Sequence, residues 1–458
     1  MMQQYKHITA LFFFSAALLF LAPFVARADF DPNYIIGDQE IFDEASMSLE
    51  EITAFLNAKG GFIATYNVTD PEGRTMSAAQ AIYERSRANH VNPKFIFVLL
   101  QKEQSLIEAK NPTQSQLDWA AGYGCPDGGG CNDRWRGLWK QINSATLQFR
   151  DYMDNPQLYR YRVGQTYTIT NTGRPPQSVT PQNLATAALY NYTPHVYNGN
   201  YNFWKIWQRY FSRDYLSGSL LQVAGEGGVW LIENGMKRPF LTRSALTSRY
   251  DPSRIQIVSR ADLDKYPKGE PIKFAQYSIV RIPNGRIFLL VDDHKRRFVN
   301  PAAFKKMGFN PDEIIQVQEA ELSSFIDGEV LTETSSYPTG ALLQDKKTGG
   351  VYWVFEGVKQ PLLDASLLKT KFKLKKIIKA NDTELATYIT GDPVRLNNGD
   401  IVRTPSSPAV YIIENGLKRP VTSADTFLKL GYKWTNVFVI ADKILQLHGD
   451  GEPVSIAL

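Results

Sequence analysis

The chain has 458 residues, of which 43% are hydrophobic and 21% charged, values typical of globular proteins that exclude a disordered or collagen-like chain. Its 51 basic and 46 acidic residues leave a net charge of +5, too small and too evenly spread to indicate a nucleic-acid partner. The mean hydropathy is negative, which excludes a polytopic membrane protein. Two Cys and five His leave little material for a metal site, so we expect no metal and no cofactor.

The N-terminal segment, residues 1–28, has the pattern of a signal peptide. A polar start with one Lys precedes an apolar run over residues 8–25, and Ala26-Arg27-Ala28 follows. We therefore expect an exported, envelope-associated protein. The alternative is an uncleaved anchor, which would be the chain's contact with a membrane; Pro23 interrupts the apolar run, which is barely long enough to span.

Residues 29–216 are predicted to form a mainly helical domain. Ser48 and Glu51 make a capping box at the start of one helix, and Gly60-Gly61 ends it. Asn92-Pro93 is an N-cap followed by Pro at the first helical position. Further helices are predicted near residues 77–88, 138–152, 182–190 and 202–211, with a β-like stretch over 161–180.

Two cysteines flank a short glycine-rich segment. Cys125 and Cys131 enclose Pro126-Asp127-Gly128-Gly129-Gly130. In an oxidising compartment this spacing favours a disulfide that shapes a small loop. Two free thiols are the alternative.

Glu103 is the sharpest anomaly of the helical region. On a helix that starts at Pro93, Glu103 shares an apolar face with Ile96, Leu99, Leu100, Leu106 and Ile107. A carboxylate in such a stripe should have a raised pKa, as a general acid for glycosidic cleavage requires. The alternative is a core Glu paired with an Arg. Glu108 points to another face and is expected to be solvated.

Three short motifs resemble those of the lysozyme-like superfamily, especially goose-type lysozymes and soluble lytic transglycosylases. They are Asn92-Pro93 with Glu103, the segment Gly137 to Gln141 (GLWKQ), and the segment Ala187 to Asn191 (AALYN). The likeness covers about residues 77–211. It implies a peptidoglycan-cleaving domain in which Glu103 is catalytic and Tyr190 orders the sugar beside it.

Further groove residues follow from this resemblance and from the aromatic clustering. We expect Asn191, Tyr123, Trp139 and Gln141 to bind substrate, with Trp135 as another groove candidate. Core packing is the alternative role for Trp135 and Trp139. For Trp204 and Trp207, core packing is the expected role. Asp118, Asp127 or Asp133 could orient a water, as a hydrolase requires. The lack of a clearly placed second acid favours a transglycosylase.

From Gly218 onward the sequence consists of one unit repeated four times. Pro239, Phe298, Pro361 and Pro420 occupy equivalent places and are almost evenly spaced along the chain. Each unit reads as a strand, an Asn-Gly-like hairpin turn, a second strand and a short helix. We predict four β-rich repeats, at about 218–275, 276–335, 338–396 and 397–458, within residues 217–458. In layout they resemble a four-bladed hemopexin-like propeller; an open stacked array is the alternative.

Basic residues recur at equivalent hairpin positions of these repeats. They are Lys237-Arg238, Lys295-Arg296-Arg297 and Lys418-Arg419. They could bind an anionic wall polymer or an envelope protein, or form a solvated face that keeps strand edges from pairing.

Together these features predict an α+β protein of several domains. The expected function is that of an exported enzyme acting on the bond between N-acetylmuramic acid and N-acetylglucosamine in peptidoglycan glycan strands. The alternative is a non-catalytic surface adhesin or glycan-binding protein on a degenerate lysozyme scaffold, because Gln104 replaces the usual Ser and the Ala-Gly after Asn191 is lost.

Overall fold

The computed structural model of the chain describes residues 30–456, apart from 127, 172 and 374. The predicted signal segment, residues 1–28, lies outside the described residues. The fold is mixed α+β, with a helical N-terminal part followed by a β-rich part with several sheets, as the sequence predicts. Within the described residues, no helix is both long and apolar enough to cross a membrane.

The helical part also contains two short antiparallel hairpins, β1–β2 and β3–β4. Its helices and strands are α1 (Asp38–Phe42), α2 (Leu49–Lys59), β1 (Asn67–Thr69), β2 (Thr75–Ser77), α3 (Ala78–Ala88), α4 (Pro93–Gln104), α5 (Gln114–Asp118), α6 (Leu138–Asp154), β3 (Tyr167–Asn171), β4 (Arg174–Val179), α7 (Leu184–Tyr192) and α8 (Tyr201–Phe211).

Local signals set the helix ends. The Ser48 hydroxyl accepts a hydrogen bond from the Glu51 amide, and the Glu51 carboxylate accepts one from the Ser48 amide, as the capping box predicts. Gly60 ends α2 with a φ of +62°, a conformation that glycine adopts without steric cost. Asn92 caps α4 through the Lys94 amide.

Helix α4 is the central helix of the helical part. Every residue from Phe95 to Gln101 is buried, so its apolar surface surrounds the helix and is not a single stripe. Phe95 packs against Phe149 at 4.6 Å between ring centroids. The helix ends at Gln104, and Ser105 has a φ of +58°. Leu106 and Ile107, expected on the same helical face as Glu103, therefore follow the helix end.

The β-rich part contains four separate sheets, called here sheets I to IV. Sheet I comprises β5 (Leu220–Val223), β6 (Val229–Glu233), β7 (Met236–Pro239) and β8 (Ile255–Val258). Sheet II comprises β9 (Ile279–Arg281), β10 (Ile287–Val291), β11 (His294–Arg297), β12 (Ile315–Gln316) and β13 (Ile326–Asp327). Sheet III comprises β14 (Ala341–Asp345), β15 (Val351–Phe355), β16 (Val358–Pro361), β17 (Ile377–Ala380) and β18 (Ile389–Thr390). Sheet IV comprises β19 (Ile401–Thr404), β20 (Ser407–Glu414), β21 (Leu417–Pro420), β22 (Val437–Val439) and β23 (Gly449–Asp450).

Short helices follow the hairpins of each sheet. They are α9 (Arg243–Thr247), α10 (Arg260–Asp264), α11 (Pro301–Lys306), α12 (Ser366–Lys369), α13 (Asp382–Ala386), α14 (Ala424–Lys429) and α15 (Asp442–Leu445).

The sheets share one topology. In each, three consecutive strands form an antiparallel meander, and a later strand pairs in parallel with the first of them, as β8 does with β5. In sheets II to IV a further short strand pairs in parallel with the third strand. Parallel edge strands distinguish these sheets from up-and-down antiparallel blades, and the described residues form neither a propeller nor a closed barrel.

The hairpin turns have the geometry that their sequence predicts. Asn234 and Gly235 have φ angles of +51° and +74°, and Asn415 and Gly416 have +50° and +77°. Two consecutive positive φ angles are the signature of the type I′ turn, which Asn-Gly favours.

Sheets I and IV contact each other and the helical part. The Gln256 side chain donates a hydrogen bond to the Leu430 carbonyl, at 2.7 Å. Helix α10 packs against α8, and the Arg213 amide donates to the Asp262 carboxylate at 2.5 Å. Lys429 of α14 forms an ion pair with Glu51 of α2 at 3.1 Å.

Candidate functional site

Glu103 lies at the C-terminal end of the central helix α4. Its side chain is 23% exposed, although the helix before it is buried. The end of this buried helix therefore places the Glu103 carboxylate at the surface. This position permits contact with a ligand, which a fully buried core Glu would not allow.

The partner of Glu103 is Lys102, which the sequence reasoning did not consider. Lys102 Nζ lies 2.6 Å from Glu103 Oε1, and the Lys102 side chain is only 6% exposed. Lys102 Nζ also donates to Thr193 Oγ1 at 2.8 Å. The carboxylate thus has a cationic neighbour, in place of the purely apolar surroundings expected from the sequence. Adjacent residues on a helix do not normally face each other, which is why the pattern gave no signal for this pair.

Gly122 lies close to Glu103, and Tyr192 interacts with it electrostatically. A Cβ atom added to Gly122 would lie 3.3 Å from Glu103 Oε2, so the Gly122 backbone closely approaches the carboxylate. Burial raises the pKa of the Tyr192 hydroxyl well above its usual range, and the negative charge of Glu103 adds to this shift. The Tyr192 hydroxyl donates to the Ala121 carbonyl at 2.8 Å. Tyr192 therefore links the segment before Gly122 to the end of α7.

Tyr190 does not occupy the place expected for it. Its side chain is fully buried, and its hydroxyl donates to the Pro32 carbonyl at 3.0 Å. Its side chain does not reach the surface in this structure, and its predicted role in ordering a sugar stays a prediction. Tyr192, two residues later, is a tyrosine of α7 whose hydroxyl the charge of Glu103 influences.

The side chains of Asn191 and Gln141 both form hydrogen bonds with backbone groups. Asn191 forms two hydrogen bonds of 2.9 Å with the backbone of Tyr161. Gln141 is fully buried; its oxygen accepts from the amides of Ala121 and Tyr123, and its nitrogen donates to the carbonyls of Tyr123 and Trp135. Gln141 therefore fixes the segment around Gly122 against α6 and does not itself face solvent.

Aromatic side chains surround this segment. Tyr123 and Trp135 pack edge to face, with ring centroids 5.3 Å apart, and both are partly exposed. Trp139 is partly exposed, and the Arg85 guanidinium lies 4.9 Å from its ring centroid. Trp204 and Trp207 are buried in the core, as expected.

The disulfide predicted between Cys125 and Cys131 is present. It closes the glycine-rich loop between the segment at Gly122 and the start of α6. The Asn132 amide donates to the Gly124 carbonyl at 3.0 Å, which holds the two ends of the loop together.

The acidic residues near this loop are separate from Glu103. Asp118 is buried and pairs with Arg136 at 2.8 Å. Burial acts to raise the pKa of Asp118, but hydrogen bonds from Gln114 and Arg136 outweigh it and lower the pKa. Asp133 is exposed, Asp127 lies outside the described residues, and Glu108 pairs with Arg209 at 3.0 Å. Asp118 and Glu108 are thus engaged in ion pairs with arginines.

Most of the basic hairpin residues, with the exception of Arg297, are paired with carboxylates among the described residues. Lys237 contacts Asp264 at 2.7 Å, Lys418 contacts Asp450 at 3.0 Å, and Arg419 contacts Glu414 at 2.6 Å. Arg296 is only 3% exposed. These side chains join strands to neighbouring segments, so they do not form the free basic row that the sequence suggested. Among the described residues, no cluster of three or more His, Cys, Asp or Glu is arranged to hold a metal ion.

Residues 34–222 match the family model of the LasA N-terminal domain. This match covers the helical part and does not establish the lysozyme-like superfamily. No curated protein matches the chain.

Two solved structures give low-scoring likenesses. One, titled "Structure of the periplasmic assembly from the ESX-5 inner membrane complex, C1 model", is 11% identical over 52% of this chain and 94% of that chain, with a TM-score of 0.13. The other, titled "Structure of an intact ESX-5 inner membrane complex, Composite C3 model", is 12% identical over 55% of this chain and 83% of that chain, with a TM-score of 0.13.

Proposed function

We propose that the chain is an exported, cell-envelope enzyme that cleaves the bond between N-acetylmuramic acid and N-acetylglucosamine in peptidoglycan. Residues 29–216 would form the catalytic domain, and the four repeats would bind the envelope or a partner. The observation that carries the proposal is the Glu103 carboxylate, presented at the surface by an otherwise buried helix. The match to the LasA N-terminal domain is compatible with a wall-acting enzyme and does not separate a glycosidase from a peptidase.

In this proposal Glu103 gives a proton to the leaving sugar oxygen and then takes one back. A transglycosylase needs no second protein carboxylate, because the substrate's own N-acetyl oxygen assists at the anomeric carbon. The pairing of Asp118 with Arg136 supports this type over a hydrolase. Lys102 would hold the carboxylate in place, and Tyr192, whose hydroxyl the charge of Glu103 influences, would take the role that the sequence assigned to Tyr190.

The remaining residues support the groove in different ways. Tyr123, Trp135 and Trp139 are partly exposed and would pack against sugar rings. Gln141 and Asn191 are positioning residues, since their polar atoms are engaged with backbone.

A second candidate is a non-catalytic glycan-binding protein. The ion pair between Lys102 and Glu103 favours it, because the Lys102 ammonium already occupies Oε1 of the carboxylate, and a leaving sugar oxygen would need a carboxylate oxygen of its own. In this candidate the aromatic groove binds glycan, and Glu103 does not catalyse cleavage.

The test is mass spectrometry of the muropeptides that purified walls release on incubation with the protein. Glu103→Gln should reduce release by roughly 10²–10⁴-fold, the usual contribution of general acid–base catalysis. Glu108→Gln is the matched control, because Glu108 is a partly exposed carboxylate just past the end of α4 that pairs with Arg209. Circular dichroism checks that both variants are folded.

The products distinguish the alternatives. Anhydro ends identify a transglycosylase and reducing ends a hydrolase. Cut peptide stems on intact glycan would identify a peptidase and contradict the proposal. Full release by Glu103→Gln would remove Glu103 from the mechanism, and wall binding without release by the wild type would establish the second candidate.

A further inference from the structure

A cavity of about 580 Å³ lies among the four sheets, with lining residues in or beside each of them. This volume is in the range of small-molecule sites. The cavity is distant in sequence from Glu103, and none of the residues discussed for catalysis lines it. An inference about it does not depend on the chemistry of Glu103.

One wall of this cavity combines cations with aromatic rings. Lys375 Nζ lies 5.0 Å from the ring centroid of Tyr277 and 5.3 Å from that of Trp353. The ring of Phe372 lies 5.0 Å from that of Trp353, and Lys371 precedes Phe372 in the chain. These five residues form a continuous surface, called here the Lys–Trp wall.

The cations of the Lys–Trp wall have no carboxylate partner among the described residues. Lys371 Nζ donates to the Arg395 carbonyl at 2.9 Å and the Asn397 side-chain oxygen at 2.8 Å. Lys375 Nζ donates to the Tyr277 hydroxyl and the Thr339 carbonyl, both at 3.2 Å. Neutral oxygens orient these ammonium groups without cancelling their charge.

The carboxylates that line the cavity are already engaged. Glu233 and Asp293 both contact Arg238, and Asp292 accepts from Gln276 at 2.7 Å. Asp292 and the partly buried Asp400 act electrostatically on Lys371, but neither forms an ion pair with Lys371 or Lys375 among the described residues. An anion is the ligand that this wall lacks.

Tyr277 gives a second, independent indication of a ligand. It has a φ of +68°, and the equivalent residues at the start of the other sheets are glycines with positive φ, namely Gly218, Gly340 and Gly399. A bulky residue in this conformation is strained, and such strain clusters at functional sites. Tyr277 thus occupies a position where glycine would adopt the same backbone conformation with less strain.

We infer that the Lys–Trp wall binds an anionic sugar. The Lys371 and Lys375 ammonium groups would receive its carboxylate or phosphate group. The faces of Tyr277 and Trp353 would pack against the apolar face of its ring. In the envelope such a site would hold the chain to an anionic polysaccharide.

Isothermal titration calorimetry on the full chain tests this inference with four probes: trigalacturonate, glucose 6-phosphate, inorganic phosphate and the neutral sugar cellotriose. At least one anionic sugar should bind, and cellotriose should not. Preference for trigalacturonate or for glucose 6-phosphate identifies the carboxylate or the phosphate as the recognised group. Lys371→Gln and Lys375→Gln should each weaken binding roughly tenfold or more, as expected for a lost hydrogen bond to a charged group.

Tyr277→Gly separates binding from folding. Glycine relieves the positive φ, which offsets part of the packing lost with the ring, and circular dichroism checks that the variant is folded. Loss of the ring should weaken binding of the anionic sugar several-fold. Lys346→Gln is the control, because Lys346 is an exposed lysine of the loop after β14 that does not line the cavity. The inference is overturned if no anionic sugar binds, if cellotriose or inorganic phosphate binds equally well, or if the variants bind as the wild type does.

Discussion

Gln141 shows how one buried amide positions a surface. All four of its hydrogen bonds go to backbone groups of the segment that carries Gly122 and Trp135, and the side chain is fully buried. The Gly122 backbone of this segment closely approaches Glu103. The placement of Gly122 and of the Tyr123 and Trp135 rings therefore depends on a buried residue that no ligand would reach.

Gln141→Leu keeps the side-chain size and removes these hydrogen bonds. The backbone groups left without partners should lower the free energy of unfolding by about 2–3 kcal/mol. Gln148→Leu, on the same helix, is the control. Gln148 is partly exposed and bonds to the Tyr123 and Tyr159 hydroxyls and not to buried backbone groups, so its replacement should cost less. Chemical unfolding of both variants measures the difference, and equal losses would contradict the role assigned to Gln141.

The two tyrosines of α7 show where sequence reasoning was limited. The motif assigned the sugar contact to Tyr190, because Tyr190-Asn191 matches the family pattern. Which side of a short helix faces the core depends on packing against Pro32 and Tyr161, which are distant in sequence. No local signal distinguishes Tyr190 from Tyr192, so only the tertiary structure could correct the assignment.

The tyrosines should respond differently to removal of the hydroxyl. Tyr190→Phe loses one buried hydrogen bond and should cost about 0.5–1.5 kcal/mol of stability without changing wall cleavage. Tyr192→Phe should reduce wall cleavage, since the Tyr192 hydroxyl interacts electrostatically with Glu103 and donates to the Ala121 carbonyl. Thermal midpoints and muropeptide release, measured on the same preparations, test this. A loss of cleavage in Tyr190→Phe alone would restore the original assignment.

At the scale of elements, local sequence signals were sufficient for most helices and turns. Ser48, Asn92 and the Asn234-Gly235 turn act over short stretches of chain, so their effects are visible in the sequence. The parallel edge strands were not predicted. They are very short, and each pairs with a strand that is distant in sequence, as β12 does with β9. Their sequences therefore carry little periodicity from which to infer them.

Arg296 is a basic hairpin residue that is buried and contacts two carboxylates. Its buried guanidinium in β11 contacts Glu329 at 3.4 Å and Glu356 of sheet III at 3.3 Å, and donates to the Pro338 carbonyl at 2.8 Å. Burial lowers the pKa of Arg296, and the two carboxylates oppose this effect. Arg296 thus joins sheet II to sheet III.

Arg296→Met should lower the free energy of unfolding by about 2–3 kcal/mol, because it leaves Glu329 and Glu356 without their cation. The cost stays below that of a fully buried pair, since both carboxylates are partly exposed. Arg297→Met removes a neighbouring, more exposed charge and should have a much smaller effect. If Arg297→Met is as costly as Arg296→Met in urea unfolding, the hairpin charges act collectively and not through this pair.

At the scale of the whole molecule, the helical and β-rich parts are in close contact. The segment Ser217-Gly218-Ser219, whose composition suggested a linker, is buried at both serines, and the Ser217 amide donates to Glu414 at 2.7 Å. A Cβ atom on Gly218 would lie 2.3 Å from the Asn398 backbone, so glycine is required by close approach to sheet IV. Serine and glycine are typical of flexible linkers and also fit tightly packed connections, so the composition of this segment could not distinguish the two.

Glu40 lies where the helical part meets α10. Its Oε2 accepts from the Gly37 amide at 2.5 Å, and its Oε1 has no hydrogen-bond partner among the described residues. Burial raises the pKa of Glu40 to about 7, and the nearby carboxylates Asp262 and Asp264 add to the shift. Burial also raises the pKa of Asp262 and lowers that of Lys94, which faces the same cluster from α4.

The sign of the resulting pH dependence follows from proton binding. The pKa of Glu40 is 4.5 in the unfolded chain and about 7 in the folded one, so between these values the folded state holds the extra proton. The stabilisation is complete below about pH 4.5 and is lost as the pH rises through 7. The thermal midpoint of the wild type should therefore fall, relative to that of Glu40→Gln, between pH 5 and pH 8. The change in the free energy of unfolding should be up to about 3 kcal/mol. Scanning calorimetry of both proteins isolates Glu40, because Asp262 and Lys94 are common to them. A difference between the two midpoints that stays constant over this range would show that Glu40 titrates as an exposed carboxylate and that the contact with α10 carries no pH dependence.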